Sequence, residues 1–141
     1  MDCPRCNDVM VHEKVDGENI LICRSCNGMW VHRHQLNQML KESGGDVESC
    51  SIDDAPHEDR QPALTCLDCR NVIMKKINFL DYSDIIMDYC PSCGAFWIDR
   101  EELSGMHRYI KNVEDGSHTV TDHSAYNLLL KLSEIAYRIF H

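Results

Sequence analysis

The sequence predicts a small, metal-stabilised α+β protein: two tandem zinc ribbons, each built as knuckle, β-hairpin, knuckle and short helix, followed by a C-terminal amphipathic helix. Three observations predict it. Eight of the 9 cysteines fall in four CxxC pairs, Cys3/Cys6 with Cys23/Cys26 and Cys66/Cys69 with Cys90/Cys93. The segments around the two sets repeat one another. The end of the chain carries apolar residues at helical spacing. A CxxC turn aims two thiolates at one point, and two such turns at the ends of a short hairpin supply the tetrahedral sulfur cage that zinc prefers. Two Zn²⁺ per chain are therefore expected, held by these eight cysteines. Four thiolates leave no coordination position for a substrate or an activated water, so the pattern points to structural metal.

Composition agrees. With 9 Cys but only 3 Phe and 2 Trp in 141 residues, the modules are too thin in core to stand without metal. Met1 is followed almost at once by Cys3, which leaves no room for a secretory leader, and a reducing, cytoplasmic setting is expected. There CxxC pairs hold metal more readily than they form disulfides. No apolar run approaches a membrane span. The formal net charge is -9, and zinc held by eight thiolates makes it more negative. That opposes general nucleic-acid affinity, which rests on Lys and Arg neutralising phosphates.

The first module, residues 1–42, opens with the knuckle CPRC. Val9 to Val15 reads as a strand, Asp16-Gly17 as a hairpin turn, and Ile20 to Ile22 as the returning strand that leads to CRSC. After Cys26, the stretch VHRHQLNQML places Leu36, Met39 and Leu40 at helical spacing and stops before Gly44-Gly45. Residues 43–64 carry Asp46, Glu48, Asp53, Asp54, Glu58 and Asp59 against Arg60, with Pro56 and Pro62 and no apolar periodicity. They read as a solvated acidic linker that lets the modules move relative to each other. Cys50 lies in it as a free thiol; a redox handle or substitute ligand is the alternative.

The second module, residues 65–113, repeats the first: CLDC, a strand from Val72 to Phe79, a turn around Asp81 to Asp84, a strand from Ile85 to Tyr89, and CPSC. Beyond the last cysteine the copies align without a gap, Trp30 with Trp97, Val31 with Ile98, Arg33 with Arg100, Leu36 with Leu103 and Met39 with Met106. Between the CxxC pairs lie 16 residues in one copy and 20 in the other, so the insertion falls in the hairpin, where added loop length costs little. This is the signature of a duplicated folding unit.

Both copies resemble the small zinc-ribbon family named after the transcription factor IIB zinc finger, whose pattern is CPxC, hairpin, CPxCGGxWLDxGEL. CPRC and CRSCNGMWVHRHQL carry the resemblance in the first copy, CLDC and CPSCGAFWIDREEL in the second, over about residues 3 to 40 and 66 to 106. The resemblance implies zinc at the eight cysteines and a link to transcription. Each copy keeps one of the family's two glycines, in Asn27-Gly28 and Gly94-Ala95. The glycine of GEL is replaced by His34 and Glu101, so the backbone is expected to be already helical there.

Trp30 and Trp97 are expected to lie over the cages as lids of a mini-core; an exposed base-stacking platform is the alternative. Asp99 with Glu102 three residues on predicts an N-cap, hence a helix starting near Arg100 and running to about Asn112. His32 and Gln35 at the matching positions predict a weaker start. The cages are complete without imidazole, so His32 and His34 read as surface or capping residues, and His107, His118 and His123 as isolated ones. Arg5, Arg24, Arg70, Lys75 and Lys76 either form a basic edge for phosphates or offset the charge of the cages.

From Thr121 to Phe140, the residues Leu128, Leu129, Leu132, Ile135, Ala136, Ile139 and Phe140 make one wide apolar face. A lone helix of this length is marginal in water, so the face must be covered: by the ribbons, by a second copy in a homo-oligomer, or by a partner's groove. With residues 114–141 as that helix, the expected function is a zinc-binding, non-catalytic adaptor for a protein partner. The alternatives are a transcription-related nucleic-acid or RNA-polymerase binder, and a redox or zinc sensor that gives up metal on oxidation. The sequence has no phosphate-binding Gly loop and no HExxH, and an enzyme is not expected.

Overall fold

The computed structural model describes residues 1–41, 52–54, 62–79, 85–120 and 123–140. The strands are β1 (Val11–Val15), β2 (Glu18–Ile22), β3 (Met29–His32), β4 (Ile52–Asp54), β5 (Lys75–Phe79), β6 (Ile86–Tyr89) and β7 (Ala95–Ile98). The helices are α1 (Arg33–Leu40), α2 (Arg100–Glu114) and α3 (His123–Phe140). Asp16 and Gly17 close the first hairpin with φ of 51° and 85°, the primed turn that suits twisted antiparallel strands. The turn around Asp81 to Asp84 and the linker thiol Cys50 lie outside the described residues.

Each knuckle is followed by a strand before its helix begins, an element missing from the expected order of knuckle, hairpin, knuckle, helix. These two strands join the repeats. All seven strands form one antiparallel sheet in the order β1-β2-β3-β7-β6-β5-β4, and β3 pairs with β7 through Met29↔Ile98, Trp30↔Trp97, Val31↔Phe96 and His32↔Ala95. The expectation of modules that move independently is therefore corrected: the junction is a four-residue backbone ladder. The expectation that residues 43–64 form linker throughout is corrected too, because Ile52–Asp54 adds an edge strand to β5.

Side chains on the junction strands alternate between two layers, as the pleat requires. Met29, Val31, Phe96 and Ile98 join the core beneath the helices, together with Ile20, Ile22 and Met87. Trp30, Trp97 and Ala95 face the opposite way and pack with Cys3, Cys23, Cys66 and Cys90. Both faces of β3 and β7 are thus covered, so MWVH and AFWI read as nearly unbroken apolar runs without a polar face.

The helices lie on the first of these layers. Leu36, Met39 and Leu40 of α1, Met106, Tyr109 and Ile110 of α2, and Ala125, Leu128, Leu129, Leu132, Ile135 and Ile139 of α3 are buried there. The helix α3 packs against both α1 and α2; of the three covers considered for its apolar face, the chain supplies its own. Polar ties fix its direction: Lys131 and Arg138 reach Asp16 in the first hairpin at 2.8 and 3.1 Å, and Arg24 donates to the Ile139 carbonyl at 3.1 Å. No helix among the described residues is long and apolar enough to cross a membrane.

Two helix starts differ from expectation. Asp99 occupies the N-cap position of α2 in extended backbone but makes no side-chain cap bond, because its carboxylate is engaged elsewhere. Glu102 accepts the Ile86 N–H at 2.9 Å, tying α2 to β6. At α1 the supposedly weaker start has the better local cap, since the His32 N–H donates to Gln35 Oε1 at 3.0 Å.

Candidate metal centres

Four copies of one local device build the sites. The residue after the second cysteine of each CxxC pair, namely Asn7, Asn27, Arg70 and Gly94, has φ between 58° and 80°. Its N–H returns to the carbonyl of the first cysteine, at 3.0 Å for Asn7 to Cys3, 2.8 Å for Asn27 to Cys23, 2.9 Å for Arg70 to Cys66 and 3.0 Å for Gly94 to Cys90. This left-handed step folds the turn back on itself, and Gly and Asn accept it at low cost. It accounts for the single-glycine variants of the motif: Asn27 and Gly94 hold the position that demands positive φ. Gly28 answers to a different constraint. A Cβ there would run into Cζ2 of Trp97, so the indole of one repeat lies directly on the knuckle of the other.

The sulfurs converge as a zinc cage requires. Cys3 and Cys26 Sγ are 3.6 Å apart and Cys6 and Cys23 Sγ 3.4 Å; Cys66 and Cys93 Sγ are 3.6 Å apart and Cys69 and Cys90 Sγ 3.8 Å. Within each group all four sulfurs lie within 4.8 Å of one another. A tetrahedron with Zn–S bonds of about 2.3 Å has edges of about 3.8 Å, so the donor set fits two structural zinc ions. The first cysteine of every pair is buried and the second is exposed or half-buried, so each cage has one edge in the protein and one toward solvent.

Residues 2–42 match the family model described as transcription factor zinc-finger, the TFIIB type of zinc ribbon. That segment is similar to a TFIIB-type ribbon. No curated protein and no solved structure matches the chain. Residues 66–93 hold a second four-cysteine cluster of the same build, which makes the described sheet a pair of ribbons joined edge to edge.

The thiols of the second knuckle behave alike in the two ribbons. Burial pushes the Cys23 thiol up, but the N–H groups of Cys26 and Ser25 and the neighbouring thiols outweigh it and bring the group down to about 7. Cys90 reaches about 7 by the same balance, with Cys93 and Ser92 supplying the N–H groups. Burial raises the thiols of Cys26 and Cys93. Each site thus contains one cysteine ready to ionise near neutrality, where zinc capture can begin, and others whose protons the metal must displace.

Of the basic residues considered for an open edge, Arg5 and Lys76 are engaged inside the protein. Arg5 lies between the ribbons: its guanidinium reaches Asp99 at 3.2 Å through both Nε and Nη2, Asp88 at 3.0 Å and the Pro62 carbonyl at 2.6 Å. Asp99 also accepts from Trp97 Nε1 at 2.8 Å. Asp88 is 1 % exposed and takes a second cation, Lys76, at 2.9 Å; burial raises its carboxyl, and Lys76 and Arg5 oppose that rise. Arg24 is paired with Glu13, while Arg70 and Lys75 are exposed. Asp88 was missed in the sequence because nothing in its own strand marks it as the buried acid opposite a cation 83 positions away.

His32 also bridges the ribbons. Its Nε2 is 2.5 Å from Asp68 Oδ2, and both atoms lie within 4.8 Å of Cys93 Sγ. It therefore acts across the junction beside the second cage as well as at the start of its own helix. His34 stacks obliquely on it at 5.3 Å. His107 and His123 are exposed, and His118 packs edge-on against Tyr109 at 4.9 Å. The tryptophans are the lids expected of them, with Trp30 3 % and Trp97 0 % exposed, which leaves no ring face for base stacking.

Proposed function

We propose that this protein is a non-catalytic adaptor, two zinc-stapled ribbons locked into one sheet whose helical layer and strand edges are offered to a protein partner. The observation that carries the reading is the closure of both metal sites: four thiolates from two knuckles satisfy tetrahedral zinc, and the metal's work is to hold the fold. The state of the cations supports it. Arg5, Lys76 and Arg24 are already engaged by carboxylates, so at these three a phosphate would have to displace a formed ion pair, on a chain of net charge -9. In this reading α3 is an internal packing element, and self-association through its apolar face would require undocking it.

Native mass spectrometry on protein purified without chelator is expected to give two zinc ions per chain. Cross-linking in the source cell is expected to trap a complex with a protein partner, and Cys90→Ser, which opens one cage, is expected to abolish it. Recovery of the wild-type chain only as free protein or as its own oligomer would overturn the adaptor reading.

The family match over residues 2–42 favours a second reading, a transcription-related factor that touches nucleic acid or RNA polymerase. The polymerase version is a case of the adaptor. Direct nucleic-acid binding predicts an affinity that falls steeply and linearly on a log–log salt plot, and no binding at low salt would exclude it.

A further inference from the structure

The proposal above leaves open where a partner docks. Between the first half of α2 and the last two turns of α3 runs a groove of about 690 Å³, large enough to take several side chains of a ligand. Its apolar part is formed by Leu103 and Phe140, both half-buried, and by Tyr137, which is 67 % exposed. Its charged part is one-signed: Arg100 and Arg108 line it beside His107, and among the described residues no carboxylate does. In a chain with 23 acidic and 14 basic residues, a described surface with two guanidinium groups and no acid departs from the composition around it. The acid of α3 nearest in sequence, Glu134, is taken up by Lys131 and Arg138 at 3.4 and 3.5 Å.

The spacing of the cations restricts the occupant. Arg100 and Arg108 are eight positions apart on α2, which places them about 12 Å apart along the helix axis. Carboxylates at i and i+7 of a helix laid along the groove span about 10 Å and can meet both, and a bulky apolar residue at i+3 or i+4 then falls on Leu103 and Phe140. A nucleic-acid strand could stack a base on Tyr137, but its charge at every step would meet a chain of net charge -9 beyond the two arginines.

We infer that the α2–α3 groove is the docking site for an acidic amphipathic helix of a partner protein, held by Arg100 and Arg108 at its two ends and by an apolar anchor between them. The inference rests on the adaptor reading and gives the partner its chemistry.

Fluorescence anisotropy on the intact two-zinc protein tests it. The probe is a labelled Ala/Gln-rich helical peptide of about 16 residues with Glu at i and i+7 and Leu or Phe at i+3 and i+4. It is expected to bind saturably, and Arg100→Glu with Arg108→Glu is expected to weaken it about tenfold or more. A peptide with Lys in place of both Glu should then bind the reversed protein better than the wild type. If the reversed protein fails to keep both zincs, Arg100→Gln with Arg108→Gln and amide-shift mapping on the wild type replace it, with shifts expected along α2 and the end of α3. No peptide binding, binding indifferent to the charge changes, or shifts elsewhere would overturn the inference. So would a single-stranded oligothymidylate that binds the groove where the peptide does not. If the cellular complex forms and survives reversal of the two arginines, the groove assignment falls while the adaptor reading stands; if no complex forms with the wild type, the adaptor reading falls whatever the peptide does.

Discussion

The two ribbons repeat one order of elements and carry different side chains where they meet. Trp30 pairs with Trp97, its own counterpart in the repeat, so a local two-fold axis passes through that pair as it would through the interface of a symmetric dimer. Two of the polar contacts across the axis fall at matching positions with different side chains. Arg5 of the first ribbon meets Asp99 of the second, and at the equivalent place Asp68 of the second meets His32 of the first. The first ribbon therefore brings Arg and His to these two places and the second brings two Asp, with Asp88 as a third acid on Arg5. Two first ribbons would set Arg5 against His32, and two second ribbons would set Asp68 against Asp99. The unlike pair gives Arg5 a carboxylate, two first ribbons would leave Arg5 without one, and two second ribbons would bring two carboxylates together. A duplicated unit can keep its shared interface while its two halves become non-interchangeable.

The junction makes the ribbons one cooperative body, and the strongest way to break that comparison is to remove one cage. Cys90→Ser is expected to release the second zinc and, through the β3–β7 ladder and the common tryptophan layer, to strip hydrogen-exchange protection from β2 as well. Structural zinc contributes on the order of 10 kcal/mol in small ribbons, more than a chain of this size can spare. Survival of protection at Ile20 and Ile22 would show that the junction joins the ribbons in geometry only.

Acid should remove both metals together. Zinc needs thiolates, so affinity falls as pH falls, and it falls more steeply below about 7, where Cys23 and Cys90 also hold their protons. Because the two groups match, release followed with a chromogenic chelator is expected as a single transition. Two separated transitions would mean that the cages differ in ways their thiols do not reveal.

The inter-ribbon ion pairs should differ sharply in weight. Arg5→Ala leaves the buried carboxylate of Asp88 with Lys76 alone and is expected to cost about 3–5 kcal/mol in denaturant unfolding of the zinc-loaded protein. Asp68→Ala, at the equivalent but partly exposed position, is expected to cost under about 1 kcal/mol. Equal costs would show that burial of Asp88 is irrelevant to the junction. Packing should be unequal in the same sense: Gly28→Ala drives a methyl group into Trp97 and is expected to cost about 1–3 kcal/mol, with a change in tryptophan fluorescence.

The smallest effect belongs to the hairpin tie. Asp16→Asn keeps a side chain that tolerates positive φ but loses the ion pairs to Lys131 and Arg138, for a cost under about 1 kcal/mol that shrinks with added salt. The two cations hold the Asp16 carboxyl below its ordinary value. Their contribution is thus present above the unfolded pKa and lost as pH falls through the lowered folded one. No salt dependence in the wild-type minus variant difference would remove this tie from the account of how α3 is positioned.

The sequence by itself determined what is local. Four CxxC turns, each closed by a hydrogen bond between near neighbours, specify their own geometry, so the two four-cysteine groups were legible from spacing and the ribbon type from the resemblance of the motifs. The Asp16-Gly17 turn and the apolar face of α3 were legible for the same reason, since turn and helix periods are properties of neighbouring residues. Tertiary structure alone decided what meets across the repeats. MWVH and AFWI are short runs without a polar face, and the pattern of a strand buried on both sides does not name its neighbour. That Trp97 lies on Gly28, that Arg5 serves Asp88 and Asp99, and that α3 is covered by its own chain all depend on contacts between residues far apart in sequence. Such contacts form only when the two-fold pairing of the ribbons brings them together.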